Sequence, residues 1–210
     1  MDVKLFVIPL ALLLASCGGG RNPDDKVPHF SGGSNVWSVW GMETKRIELT
    51  DLPDGGVSFD FPTTPDEVGY LMRDERTTPT SNISVTIKLE MPEGEILADP
   101  EGKSCVQTAK ARVILQKKND DWVNEFGRWW SWFDAAPMVD GETTLTVSVT
   151  DINKWSSVLG KNASEAPDKF QNVLDNLGRI GITFGGCGHF GHGASATHGG
   201  KLTVTQFTIQ

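Results

Sequence analysis

The chain has 210 residues, of which 38% are hydrophobic and 22% charged, and its formal net charge at pH 7 is −8. This acidic balance disfavours nucleic acid as a partner, because phosphate binding needs a basic surface. It also disfavours an anionic polysaccharide, unless a local basic groove exists. The length is sufficient for one domain with a full hydrophobic core.

The N-terminus predicts export. Lys4 precedes an apolar run over 5–14, which is too short to span a bilayer but suits a signal sequence. The string Leu14-Ala15-Ser16-Cys17 resembles the bacterial lipobox, where the signal peptide is cut just before the cysteine. We therefore expect residues 1–16 to be a lipoprotein signal peptide and Cys17 to become the lipidated N-terminus. The alternative is an ordinary secretory signal with a chance cysteine.

Residues 17–35 predict a lipidated N-terminus followed by a flexible tether, since Gly, Pro and polar residues dominate this segment. Gly18 and Gly19 follow Cys17, so the aspartate that acts as an inner-membrane retention signal in enteric bacteria is missing there. By that resemblance we expect a cell-envelope protein, lipid-anchored in the outer membrane.

Beyond residue 36, alternation of apolar and polar residues predicts an all-β domain over 36–210. Strands are expected at 57–61, 83–89, 109–115, 145–149, 180–184 and 202–209, with shorter ones at 45–49, 68–72 and 128–133. In the last long strand the buried parity changes after Val204, which predicts a β-bulge near Thr205 and Gln206. Eight or nine such strands with long connections favour a jelly-roll β-sandwich.

One helical insertion is expected near 165–177. Apolar residues recur there at helical spacing, at Phe170, Val173, Leu174 and Leu177. Pro167 is a start signal and Gly178 a stop signal.

Two cysteines remain after Cys17. Cys105 and Cys187 form an even pair, which in an oxidising compartment predicts a disulfide. The bridge would close a loop of about 80 residues and stabilise the fold by roughly 4–5 kcal/mol in the chain-entropy model. The alternative is two free buried thiols.

An aromatic cluster over 129–133 contains three of the seven tryptophans of the chain. On a strand, Arg128, Trp130 and Trp132 share one face, and Trp129 and Phe133 share the other. Only one face can belong to the core, so we expect the other to present flat rings to solvent. Such rings stack on the apolar face of a sugar, and nearby polar groups hold its hydroxyls. The alternative is that most of these tryptophans fill the sandwich core.

A glycine-rich segment over 185–200 carries His189 and His192, which we expect at the rim of the ligand surface. Histidines at this density could bind a metal such as zinc. The segment has no fixed scaffold and no nearby carboxylate, so tight turns between strands are the preferred interpretation and no metal site is predicted. The sequence leaves open whether a structural calcium ion is bound, although it contains no calcium-binding loop pattern.

No catalytic residue is predicted. The chain has no Gly-x-Ser-x-Gly elbow, no phosphate-binding Walker loop and no His-Glu-x-x-His motif. Its aspartates are not paired by spacing, as a glycosidase would need. Asp120 and Asp121 are interpreted as a solvated turn, and no cofactor is expected.

Local strings resemble a family of exported bacterial lipoproteins. They lie at 116–122, 128–131, 155–161, 181–186 and 191–193. That family is similar to galactose-binding-like jelly rolls, the architecture of many carbohydrate-binding modules. The resemblance covers roughly residues 36–210 and implies a fold and glycan binding without catalytic residues.

Three functions follow as hypotheses. The first is a non-enzymatic, lipid-anchored protein that binds a glycan through Arg128, Trp130 and Trp132. The second is a structural or assembly lipoprotein that binds another envelope protein through an exposed apolar patch. The third, a polysaccharide lyase or hydrolase, would need a cleft with convergent acid and base groups.

Overall fold

The computed structural model describes residues 29–41, 46–63, 67–91, 93–98, 107–186 and 193–210. The strands within these ranges are β1 (His29–Gly33), β2 (Trp37–Gly41), β3 (Thr50–Asp51), β4 (Val57–Asp60), β5 (Tyr70–Asp74), β6 (Asn82–Glu90), β7 (Ile96–Ala98), β8 (Gln107–Thr108), β9 (Lys110–Lys117), β10 (Arg128–Ser131), β11 (Ala136–Pro137), β12 (Gly141–Ser148), β13 (Trp155–Ser157), β14 (Leu177–Gly185), β15 (Ala194–Ala196) and β16 (Lys201–Ile209). One helix, α1 (Pro167–Asp175), and two short 3-10 turns, Ile152–Lys154 and Ala163–Glu165, complete the described elements.

The strands form an antiparallel β-sandwich of the jelly-roll type, which confirms the predicted fold class. The larger sheet has the order β1-β2-β5-β14-β9-β10-β13, with β11 paired to β9, and the smaller has the order β12-β6-β16-β4-β3. A short third sheet, β15-β7-β8, lies beside them. The chain crosses repeatedly from one large sheet to the other; β4 and β6 lie in the smaller sheet, for example, while β5 between them in sequence lies in the larger.

The core lies between the two large sheets. The predicted inward residues of β6, namely Ile83, Val85, Ile87 and Leu89, are all buried there. Aromatic contacts join the layers, since Trp37 of β2 packs edge-on against Phe207 of β16 with ring centroids 5.3 Å apart. The strand register therefore follows the hydrophobic alternation.

The predicted bulge is confirmed in β16. Its pairing with β6 shifts register between Val204 and Gln206, so Phe207 recovers the position that faces Val85. The extra residue lets one strand keep its apolar side chains directed inward on both sides of the shift.

The helix is confirmed with altered bounds. Pro167 occupies its first turn, and Phe170, Val173 and Leu174 are buried. Leu177 belongs to β14, because the helix ends at Asp175 and Gly178 lies within that strand. Phe170 packs against Trp129 at 5.4 Å and Trp155 at 5.5 Å, so the helix covers one end of the core.

Short strands are where prediction and structure differ. The predicted strand at 45–49 is not formed in its described part, 46–49, and pairing starts at Thr50. β1 lies within the segment expected to be a tether, so the folded domain begins before residue 36. Within the described residues, no helix is long and apolar enough to cross a membrane.

Candidate functional site

The strand over the predicted aromatic cluster is β10, which lies between β9 and β13. Its alternation places Trp129 in the core and Trp130 on the outer face of the larger sheet. Within β10 both faces are covered, because Trp129 is fully buried and Trp130 is only 3% exposed; of the residues expected on an open face, Trp132 and Phe133 just beyond β10 are the exposed ones. Arg128 is also 3% exposed, so neither Arg128 nor Trp130 offers a ring or charge directly to solvent.

A second apolar cluster covers the outer face of the larger sheet. This outer cluster consists of Tyr70, Met72, Ile114, Trp122 and Trp130, with the partly buried Trp40 packed against it. Its members come from neighbouring strands, since Trp40 pairs with Tyr70, and Met72, Gly181, Ile114 and Trp130 follow one another across the sheet. An antiparallel sheet with one face in the core ordinarily presents polar side chains on the other.

Polar groups are embedded around these rings. Arg112, Gln116, Arg128 and Thr183 lie on the same outer face, and all are buried. The Thr183 hydroxyl donates to the Gly69 carbonyl over 3.1 Å. Two buried acceptor atoms beside Arg128, Gln116 Oε1 and Asp120 Oδ1, have no hydrogen-bond partner among the described residues. Buried unpaired acceptors are uncommon in folded proteins, so this part of the site has unused hydrogen-bonding capacity.

The loop between β9 and β10 closes over the outer face. Asp121 behaves as the turn predicted from sequence, with its carboxylate accepting from the backbone N–H groups of Val123 and Asn124. Those bonds lower the pKa of Asp121. Asp120 does not follow the prediction, because its side chain is buried and forms a 2.7 Å ion pair with Arg128. Sequence spacing gave no signal for this pair, which depends on the loop folding back over its own strands.

Trp122 is the residue of this loop that packs on the outer cluster. Its ring lies 5.0 Å from Tyr70 and 5.8 Å from Trp40, and the Arg128 guanidinium lies 4.8 Å from its centroid. Its backbone is left-handed, with φ 66°. This conformation is a genuine outlier for a bulky residue, so surrounding contacts must hold it in place.

Burial sets the electrostatics of the outer face. It raises the pKa of Tyr70 to about 12, with nearby Arg128 opposing the shift and Asp120 adding to it. Burial likewise lowers the pKa of Arg112 to about 10. At neutral pH both side chains therefore remain protonated, Tyr70 as a neutral phenol and Arg112 as a cation.

The outer cluster reaches solvent at the β1–β2 edge. Phe30 is 60% exposed and packs edge-on against Trp40, with centroids 5.7 Å apart and planes at 76°. The Arg179 guanidinium lies 5.1 Å from the Trp40 ring, and the Trp40 indole N–H donates to Ser38 Oγ. Trp40 is therefore braced by its neighbours while part of its surface stays accessible.

A second accessible aromatic pair follows β10. Trp132 is 37% exposed and Phe133 is 67% exposed, with centroids 6.5 Å apart and planes at 74°. The Trp132 backbone N–H donates to the Lys154 carbonyl, and the Lys154 ammonium pairs with Asp134 at 3.1 Å. Of the three tryptophans at 129–132, only Trp132 has substantial solvent exposure.

Several predicted residues lie outside the described residues: Cys17, Cys105, Cys187, His189 and His192. Among the described residues, Gly186 lies so close to Gln107 that an added Cβ would stand 2.6 Å from the Gln107 amide nitrogen. The disulfide between Cys105 and Cys187 stays a prediction.

Away from the outer cluster, the described residues form open depressions but no metal-binding group. Across the described ranges, no group of three or more His, Cys, Asp or Glu side chains could hold a metal ion. Among the depressions of the described part of the chain are two open ones of about 600 Å³, and neither is lined by a residue of the outer cluster. The first is lined by Asp60, Phe61, Glu90, Glu93, His198 and Lys201 with the intervening glycines, and the second lies beside α1 at Phe170 and Leu174.

Comparison with known proteins gives a likeness at the level of structure and none at the level of sequence families. No protein-family model and no curated protein matches the chain. Among solved structures, a xylan-binding module CBM15 is similar with a TM-score of 0.38 and 17% sequence identity, covering 86% of this chain and 98% of that chain. A likeness at this level concerns overall arrangement and carries no residue assignment.

Proposed function

We propose that the chain is a lipid-anchored, non-catalytic protein of the cell envelope whose sandwich binds a glycan at the outer face of the larger sheet. The observation that carries the proposal is the outer cluster itself. Each sheet of a sandwich needs one apolar face, the one directed into the core, and the core residues already form that face. The additional rings of Trp40, Tyr70, Trp122 and Trp130 are not needed to close that core.

The contact surface is the β1–β2 edge of this face. Phe30 offers an exposed ring and Trp40 a partly buried one, while the buried rings behind them form a rigid support. An aromatic ring packs on the apolar face of a pyranose, and neighbouring charged and amide groups bind its hydroxyls. Arg179, beside Trp40, is placed to donate to such hydroxyls.

The geometry of the accessible rings favours a single soluble chain. The planes of Phe30 and Trp40 are inclined at 76°, so both cannot lie flat against one crystalline surface. A flexible chain can turn successive sugars toward differently inclined rings. We therefore expect soluble polysaccharides and oligosaccharides to be the ligand class.

Anchoring rests on the N-terminal sequence. The lipobox-like string ending at Cys17 and the glycine-rich residues after it would hold the domain at a short distance from a membrane, which we take to be the outer membrane. Mass spectrometry of the protein from membranes should find acyl groups on Cys17. A water-soluble mature protein that is cleaved at another position would contradict lipid anchoring, and the N-terminus would then be an ordinary secretory signal.

Binding is tested with the mature chain from residue 17 carrying Cys17→Ser, titrated calorimetrically with a panel of soluble neutral and acidic glycans. Trp40→Ala should weaken binding at least tenfold by removing the accessible ring. Trp132→Ala is the matched control, because it removes an accessible tryptophan from the other aromatic pair, and it should leave affinity unchanged. Absence of binding across the panel would contradict the proposal, as would the opposite ranking of the two variants.

A protein partner is the second candidate function. Exposed apolar side chains flank the short edge strand β13, with Trp132 and Phe133 near one end and Val158 and Leu159 near the other. Such side chains suit an interface with another envelope protein. Cross-linking in intact cells should then yield one defined adduct that Phe133→Ser removes and Trp40→Ala retains.

The non-catalytic part of the proposal has its own test. Incubation of a bound glycan with the protein should release no reducing ends and no unsaturated products. Their appearance would favour a hydrolase or a lyase, and substitution of Asp60 or Glu90 in the acidic depression would then locate the activity.

A further inference from the structure

Arg128 makes three contacts that converge on one loop. One guanidinium nitrogen donates to Asp120 Oδ2 over 2.7 Å, and the other donates to the Trp122 carbonyl over 2.9 Å. The guanidinium also lies 4.8 Å from the Trp122 ring centroid. Gln116 reinforces the arrangement by donating to the same Asp120 oxygen over 3.0 Å.

The conformation that these contacts hold is costly in isolation. A left-handed backbone is strained for a residue with a bulky side chain, and Trp122 has φ 66°. Gly127 provides the space for Asp120, since an added Cβ there would overlap the Asp120 carboxylate. The loop therefore depends on a specific polar arrangement, and Trp122 is brought over the outer face as its result.

Trp122 connects the buried Arg128–Asp120 ion pair to the ring of Trp40. Its indole contacts Trp40 at 5.8 Å with the planes tilted by 43°, and this contact supports the buried side of Trp40. Phe30 and Arg179 hold Trp40 from other directions. The orientation of the accessible ring thus depends on where Trp122 lies.

We propose that Arg128 is a positioning residue of the glycan-binding face: with Asp120 it clamps Trp122 over the sheet, and Trp122 in turn fixes the orientation of Trp40. The inference deepens the proposed function and rests on it for its effect on affinity. Arg128 was expected from sequence to touch the ligand. Its burial assigns it a role exercised through another side chain.

A purely structural role is a poor explanation for this pair. A buried ion pair is weak evidence for a stabilising role, because exchanging both partners for well-packed apolar side chains is often neutral or stabilising. What apolar side chains cannot supply is the simultaneous fork-shaped donation to a carboxylate and to a backbone carbonyl. The Arg128–Asp120 pair is therefore suited to fixing the position of Trp122 and its loop.

The test reads the geometry directly. Trp40 and Trp122 are close enough for exciton coupling, which appears in the far-ultraviolet circular dichroism spectrum, and Trp122→Phe defines the signal without that coupling. Arg128→Met should reduce the signal to the Trp122→Phe level and weaken glycan binding several-fold, with cooperative unfolding retained. Arg73→Met is the matched control, because Arg73 also stacks on a tryptophan, Trp37 at 5.5 Å, and has its own acidic partner. It should leave the coupling intact.

An unchanged coupling in a folded Arg128→Met protein would overturn the clamp. If that variant does not fold, Arg128→Lys serves as the test. Lysine keeps a positive charge for Asp120 but lacks the second guanidinium nitrogen that donates to the Trp122 carbonyl. It should therefore lose the coupling. A wild-type protein that binds no glycan would contradict the proposed function alone. The exciton signal would still decide whether Arg128 positions the rings.

Discussion

Alkaline titration of Tyr70 tests the burial of the outer cluster. Tyr70 is the single tyrosine of the chain, so every change in tyrosinate absorbance reports on it. Burial raises its pKa from 10.0 to about 12, because an ionised phenolate would lose its hydration between Met72, Trp122 and the sheet. A shift of about two units corresponds to roughly 3 kcal/mol of preference for the neutral form.

The sign of the stability effect follows from this shift. A group whose pKa is higher in the folded state contributes its stabilisation fully below the unfolded pKa, near 10, and loses it as the pH rises through the folded value, near 12. The free energy of unfolding should therefore decrease across that window by a few kcal/mol as an upper limit. Below pH 9 or so, Tyr70 should contribute no pH dependence.

Ultraviolet difference spectroscopy of the folded protein, with the denaturant-unfolded chain as control, gives the two pKa values directly. The unfolded control should titrate near the ordinary value. Asp120→Asn should lower the folded pKa, because it removes a negative charge that disfavours the phenolate. A folded protein whose Tyr70 ionises near pH 10 would refute the packing of the outer face described above.

Two further predictions concern the fold. Gly181→Ala should destabilise the protein by about 2–3 kcal/mol in denaturant unfolding, because the new methyl would overlap the Leu71 carbonyl and the Met72 side chain. Gly199→Ala is the control and should be near neutral, because the space around Gly199 is open. Equal effects of the two substitutions would contradict the packing around Gly181. Non-reducing peptide mapping should recover Cys105 and Cys187 in one disulfide-linked pair, and two alkylated free thiols would exclude the bridge.

The long strands were predictable from sequence because apolar side chains directed into the core recur at every second residue. Alternation located β6, β9, β12, β14 and β16, and even the bulge in β16 followed from its change of parity. The shortest strands carry too few residues for a pattern, since β8 and β11 each have two. Their pairing depends on distant partners.

The site was only partly predictable, for a physical reason. Alternation identified that Arg128 and Trp130 share a face, and the structure places both on the outer face of the larger sheet. Periodicity cannot say whether a loop then covers that face. Trp122 and its loop do so, so Arg128 and Trp130 are buried, and Phe30 and the partly buried Trp40 are the rings that reach solvent at the β1–β2 edge.

The central claim is that the glycan lies on the outer face at the β1–β2 edge. Hydroxyl-radical footprinting with and without saturating glycan tests it directly, because the protein carries two accessible aromatic pairs that react in the same sample. Phe30 and Trp40 should be protected by the ligand, while Trp132 and Phe133 should react at an unchanged rate. Protection of Trp132 and Phe133 with no change at Phe30 and Trp40 would contradict the account.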